Sequence, residues 1–255
     1  MPGGVLLAAK SVSQAILLLA ALTNKNPRML GLVKGARRWW SGKKIAVIGP
    51  TASGKDSFLA RLQGKPVPMV HANSSMGEAI RAFRVKLTLS SHQAIDIRCR
   101  GVINIGGETD YRDAPDGWLA VCRDADVVFY LMTITDLVER AFRKGGRIRG
   151  DLNWLLTALP HLKKGALVHV LINKVDERIN NHTDYPALTR ELRRDLRALH
   201  RTVRKTLHPY ETKYTGATLI SMKSTQIYTV AMNEVLLSVY AAFHETRETR
   251  PSEAA

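Results

Sequence analysis

Apolar residues fall along this chain in three regimes. Val5 to Leu22 is rich in Val, Leu, Ile and Ala, interrupted by Lys10, Ser11, Ser13 and Gln14. Its unbroken run, Ala15–Leu22, is far shorter than the roughly 20 residues a membrane-spanning helix needs. Wound as a helix, the segment gathers its polar residues in one turn and is apolar on most sides. It must therefore lie against its own domain or a second copy, in a membrane interface, or in a partner's groove. No basic cluster precedes it, so it is not expected to be a secretory signal. Asn24 to Lys44 reads as a linker, with Asn-Pro, several Gly and the cluster Lys34, Arg37, Arg38, Trp39, Trp40, Lys43 and Lys44. Packing of the Trp pair on the domain is favoured over an interfacial or nucleic-acid contact.

From Lys44 the pattern alternates between strands and helices, the signature of an α/β domain. Ile45–Ile48 is a short apolar run leading into a Gly-rich loop, and Lys55–Leu62 continues as a helix. Gly64 to Gly77 is loop-like. Ala82–Leu89 and Ala94–Ile105 both alternate apolar with polar positions and are expected to form a hairpin-like pair. Val127–Met132 and Leu167–Ile172 read as buried strands and Thr218–Ile220 as a shorter one. A last helix runs from about Gln226 to Thr246 with an apolar stripe. The expected organisation is an N-terminal segment over 1–43, one domain over 44–247, and a tail over 248–255.

Composition adds two constraints. Of 255 residues 45% are hydrophobic, enough for a packed core. The formal net charge of +16 favours an anionic partner. A basic amphipathic helix is expected around the seam Leu188, Leu192, Leu196, Leu199, Val203 and Leu207, flanked by Arg190, Arg193, Arg194, Arg197, Arg201, Arg204 and Lys205. A second cluster, Arg140, Arg143, Lys144, Arg147 and Arg149, precedes an apolar helix containing Trp154. Cys99 and Cys122, one in an expected strand and one in an expected helix, lack metal-site spacing and read as reduced thiols of a cytosolic protein.

The chemistry is concentrated where the expected strands end. Gly49-Pro50-Thr51-Ala52-Ser53-Gly54-Lys55 follows the phosphate-loop pattern, whose backbone N–H groups cradle phosphates while its Lys bridges their outer oxygens. The next position normally supplies a hydroxyl to Mg²⁺, and here it is Asp56, followed by Ser57. After the strand ending at Ile172 comes Asn173-Lys174-Val175-Asp176. A carboxylate there accepts from guanine N1–H and its exocyclic amine, whereas adenine would leave it unpaired. Asp176 could instead cap a helix. Ser221-Met222-Lys223 follows the strand ending at Ile220. Asn104-Ile105-Gly106-Gly107-Glu108 offers a Gly for the γ-phosphate, with Asn and Glu where an Asp and a Gln are usual.

These four motifs, in this order over Lys44 to His244, resemble the Ras-like small GTPase superfamily, and the Gly-Gly pair and apolar N-terminal helix resemble its Arf branch. The resemblance implies a mixed six-stranded sheet flanked by helices, with GTP or GDP and Mg²⁺ at the C-terminal strand ends. It implies phosphate contacts from Gly49, Thr51, Ala52, Ser53, Gly54, Lys55, Asp56, Ser57 and Gly107. Guanine would be held by Asn173, Lys174, Asp176, Ser221, Met222 and Lys223. The metal would be held by Asp56, with Asn104 acting indirectly. Lys55 and Glu108 are the catalytic candidates. Glu108 could position water, although its charge opposes that of the γ-phosphate. No arginine finger can be singled out among Arg81, Arg84, Arg112 and Arg147. For the first switch, Ser74 and Ser75 are the hydroxyls available between Val67 and Ala79.

The expectation is a guanine-nucleotide switch with slow or partner-dependent hydrolysis. Its partners would be a protein effector or regulator and an anionic membrane surface met by the N-terminal helix and basic patches; nucleic acid is less favoured. Its place would be the cytoplasm or the membrane periphery. Two alternatives stay open. One is a nucleotide-independent interaction module on the same fold. The other is a phosphate-loop enzyme acting on tRNA, because the Gly49–Lys55 string also resembles that of tRNA isopentenyl transferases.

Overall fold

The computed structural model describes residues 35–36, 38–67, 78–80, 83–90, 93–99, 101–104, 112–114, 117–179 and 181–248. The apolar N-terminal segment, the Ser74–Ser75 loop, Gly107 and Glu108 lie outside them. Among the described residues, no helix is long and apolar enough to cross a membrane.

The chain is α/β, as its periodicity predicts. Strands β1 (Lys44–Ile48), β2 (Glu78–Ile80), β5 (Gly101–Asn104), β6 (Val127–Thr133), β7 (Leu167–Asn173) and β8 (Tyr214–Leu219) form one sheet in the order β2-β5-β1-β6-β7-β8. From β5 to β8 neighbouring strands are parallel, and β2 pairs antiparallel with β5. Strands β6 and β7 are covered on both faces, so their sequences are continuously apolar rather than alternating. The parallel strands carry their C-terminal ends to one edge, in register pairs such as Val47 with Asn104, Ile48 with Tyr130, and Thr133 with Asn173.

Helices cover the two faces. On one, Ala46, Ile48, Val128, Tyr130, Val170 and Ile172 pack against α2 (Trp118–Arg123), α4 (Arg147–Ala158), α5 (Tyr185–Glu191) and α6 (Arg193–Leu207). The short α3 (Ile134–Val138) follows β6 and opens with a capping box between Thr133 and Asp136. On the other face, Ile45, Val47, Phe129 and Leu131 meet Phe58, Leu59 and Leu62 of α1 (Lys55–Leu62). They also meet Ala231, Val235 and Val239 of α7 (Thr225–Glu248).

Four expectations change. The run Ala94–Ile105 is not one strand. Gln93–Cys99 is β4, which pairs antiparallel with β3 (Phe83–Ser90) in a separate two-stranded sheet, while Gly101–Asn104 joins the main sheet. Alternation of period two holds over Ile95, Ile97 and Cys99 and lapses before Val102, but one lapsed step does not say that the chain has left one sheet for another. The linker also ends early: residues 35–36 and 38–40 are helical, and Trp40 is 0% exposed with its Nε1 donating to Leu236 O at 2.8 Å. Trp39 packs edge-on against it and beside Phe243. The basic amphipathic stretch is two helices broken at Leu192, which ends α5 and begins α6 and is buried in the same core as Leu188 and Leu199. Finally, Arg147 and Arg149 do not precede the Trp154 helix but form its first turn.

Candidate functional site

The phosphate loop leaves β1 through backbone that only special residues tolerate. Gly49 has φ of +143°, and a Cβ there would run into Leu131 O. Gly54 has φ of +94° and forms the N-cap of α1; a Cβ on it would strike Asn173 Nδ2. That second clash bears on function, because it shows how closely the Asn173 loop presses on the phosphate loop. Asn173 Nδ2 donates to Ser53 O at 3.0 Å, joining segments 120 residues apart. The first N–H groups of α1 have no intrahelical acceptor, as at any helix start.

Lys55 is buried, and its Nζ donates to Gly49 O and Pro50 O, both at 3.0 Å. Burial lowers its pKa to about 8; the nearby Asp56 carboxylate pushes it back up and Arg147 pushes it further down. Ser53 Oγ is sealed from solvent with no hydrogen-bond partner. Asp56 is exposed in the first turn of α1, one position beyond Lys55 and not at the N-cap. Ser57 follows it, half-buried. Thr51 and Ala52 are exposed on the loop's crest, Ala52 with φ of +62°.

The base-side loops are tied to one another. Lys174 takes the left-handed φ of +68°, turning the chain sharply out of β7. Asp176 does not cap the short helical turn Val175–Glu177 that follows; Lys174 holds the cap position. Instead, Asp176 Oδ1 accepts from Ser221 Oγ at 2.5 Å, and its Oδ2 lies 3.8 Å from Lys223 Nζ. Met222 N donates to Asn173 Oδ1 at 3.3 Å. Ser221 Oγ in turn accepts from the backbone N–H groups of Lys223 (3.2 Å) and Ser224 (3.0 Å). The structure therefore gathers Ser53, Gly54, Asn173, Asp176, Ser221 and Met222 at one edge of the sheet. Asn104 ends β5 beside Val47 of β1, which places its backbone at the same edge.

Two contributors escaped the sequence. Arg61, on α1, donates to Met222 O, Lys223 O and Thr225 Oγ1. Asp151 of α4 is buried, accepting from Tyr130 OH at 2.7 Å and from Arg112 Nη1 at 3.3 Å. Burial raises its pKa, and the bonds from Tyr130 and Arg112 act in the opposite direction. Of the four arginines weighed as fingers, Arg147 has its charge felt at Lys55, whereas Arg112 is committed to Asp113 and Asp151. Nothing in the local pattern marks Arg61 or Asp151, because each is a polar residue on an otherwise ordinary helix.

No family profile matches the chain, and no curated protein is similar to it. Among solved structures it is similar to the RocCORdC unit of Methanosarcina barkeri Roco2 bound to GDP, at 13% identity and a TM-score of 0.43. The match covers 78% of this chain and 50% of that one.

Proposed function

We propose that this chain is a guanine-nucleotide-binding, GTPase-like switch. One observation carries the reading: two loops far apart in sequence are locked together so that the Asp176 carboxylate and the phosphate loop share one edge, bridged by Asn173 and Ser53. A carboxylate held by a serine hydroxyl at a strand end suits the paired N1–H and 2-amino donors of guanine. The N–H groups at the start of α1, with Lys55 beside them, suit the phosphates.

The residues fit the nucleotide: Gly49 and Gly54, both at positive φ, let the loop main chain take the tight course that a phosphate cradle needs. They also fit Mg²⁺: Asp56 offers a hard oxygen donor on the exposed first turn. When bound, the metal would neutralise charge on the outer phosphates. Lys55 would exchange its two carbonyl acceptors for phosphate oxygens. Hydrolysis would be slow or partner-dependent, with Glu108 as the water-positioning candidate. The outward Arg193, Arg194, Arg197 and Arg201 of α6 support an anionic partner, including a membrane periphery.

A second reading, a module that works without nucleotide, is favoured by Lys55 being satisfied by its own loop. Equilibrium binding of GTP, GDP and ATP, with and without Mg²⁺, separates the two. Binding of GTP and GDP alone, strengthened by Mg²⁺ for GTP, supports the switch. Absence of binding supports the module, and preference for ATP overturns the guanine assignment.

A further inference from the structure

Arg61 ties the helix of the phosphate loop to the loop beyond β8 by side-chain hydrogen bonds. Its Nε donates to Met222 O at 2.7 Å, its Nη2 to Lys223 O at 2.7 Å, and its Nη1 to Thr225 Oγ1 at 3.0 Å. The guanidinium also lies 5.7 Å from the Tyr228 ring centroid. A planar fork with this many acceptors fixes the orientation of the peptides it holds.

Those peptides have a second end. In a trans peptide the C=O and N–H point in opposite directions. Drawing the Met222 and Lys223 carbonyls toward α1 therefore turns the Lys223 and Ser224 N–H groups away from it. Both donate to Ser221 Oγ, which donates to Asp176 Oδ1. With its lone pairs engaged by two N–H donors, the hydroxyl is left to aim its proton at the carboxylate. A continuous chain of hydrogen bonds thus runs from Arg61 to Asp176.

We infer that Arg61 is a positioning residue for base selectivity, acting on Asp176 through the 222–224 peptides and Ser221. The inference rests on the guanine-nucleotide reading and deepens it. The Arg61 guanidinium makes its contacts with Met222, Lys223, Thr225 and Tyr228. It holds the acceptor oxygens in the geometry that the N1–H and 2-amino groups of guanine require, and through α1 it links that geometry to the helix that starts at the phosphates.

The test compares GDP with inosine diphosphate, which lacks the 2-amino group. A ratio of two affinities on one protein is insensitive to a general loss of folded material. Wild type is expected to prefer GDP by roughly tenfold or more, the scale of one hydrogen bond to a charged acceptor. In Arg61→Ala the preference should fall below about threefold, with GDP weakened more than inosine diphosphate, which has only its N1–H contact to lose. Ser221→Ala should reproduce that collapse, and Arg61→Lys, keeping a cation but not the fork, should fall between. Equal weakening of both nucleotides in Arg61→Ala would overturn the inference, as would full selectivity in Ser221→Ala. If Arg61→Ala does not fold, Arg61→Lys and Ser221→Ala decide by the same ratio. A wild type that binds neither nucleotide would instead defeat the guanine reading itself.

Discussion

The two ends of the candidate site are built differently. At the base end, Asp176, Ser221, Met222, Asn173 and Arg61 are interlocked by hydrogen bonds within the protein. At the phosphate end, Lys55 is turned onto its own loop and Ser53 Oγ has no partner. A preorganised base end gives selectivity without a rearrangement. A self-satisfied phosphate end must exchange bonds when occupied, and exchange of bonds is what a switch requires. Under the proposed reading, the contrast teaches that discrimination and response are divided between the two ends of the site.

The contrast can be broken most severely at Lys55. Lys55→Ala removes the one buried cation of the phosphate loop, and GTP and GDP affinity should fall by roughly 100-fold or more, measured by titration with a fluorescent analogue. Retained affinity would mean that the phosphates are not held there. At the base end, Asp176→Asn exchanges an acceptor for a donor. Preference should swing from guanosine toward xanthosine diphosphate by about 100-fold, read in competition assays. An unchanged preference would detach Asp176 from the base.

A smaller effect is expected at Asp56. Asp56→Ala should weaken GTP binding by about tenfold in Mg²⁺ and leave it nearly unchanged in chelator; the same loss in both conditions would argue against metal ligation. Smallest is the pH effect. The Lys55 pKa of about 8 is below its ordinary 10.5. Between these values the unfolded chain holds a proton that the folded one lacks, so nucleotide-free stability rises with pH across that window. Phosphate binding favours the ammonium, so nucleotide uptake should draw in a proton above about pH 8. Affinity should then drop a few-fold per pH unit. Calorimetry in two buffers of different ionisation enthalpy detects that proton, and an identical heat in both would place the titration elsewhere.

Much of this was legible in the chain. A run such as Val127–Met132 has to be a buried strand, and a Gly-rich turn after Ile48 has to begin a helix, because apolar period and backbone freedom are local properties. The motifs then fall at the strand ends because parallel strands share a direction, and the register of β1, β6 and β7 carries those ends to one edge. What could not be read was partnership among polar groups. The sequence shows Ser221 and Asp176 as neighbours in a motif grammar, but not that a hydroxyl joins them, nor that Arg61 stands behind both. Likewise Asp151 is one acid on a helix until folding buries it between Tyr130 and Arg112.

The sequence by itself indicated most of the strands and helices, the apolar face of each, and which loops are candidates for phosphate- and base-directed chemistry. Tertiary structure alone decided that Ala94–Ile105 divides between two sheets, that Trp40 belongs to the core, and that Lys55 rests on its own carbonyls. The physical reason is range. Periodicity and turn chemistry act over a few residues, whereas a buried donor or acceptor must find whatever partner packing brings within about 3 Å, however distant in the chain.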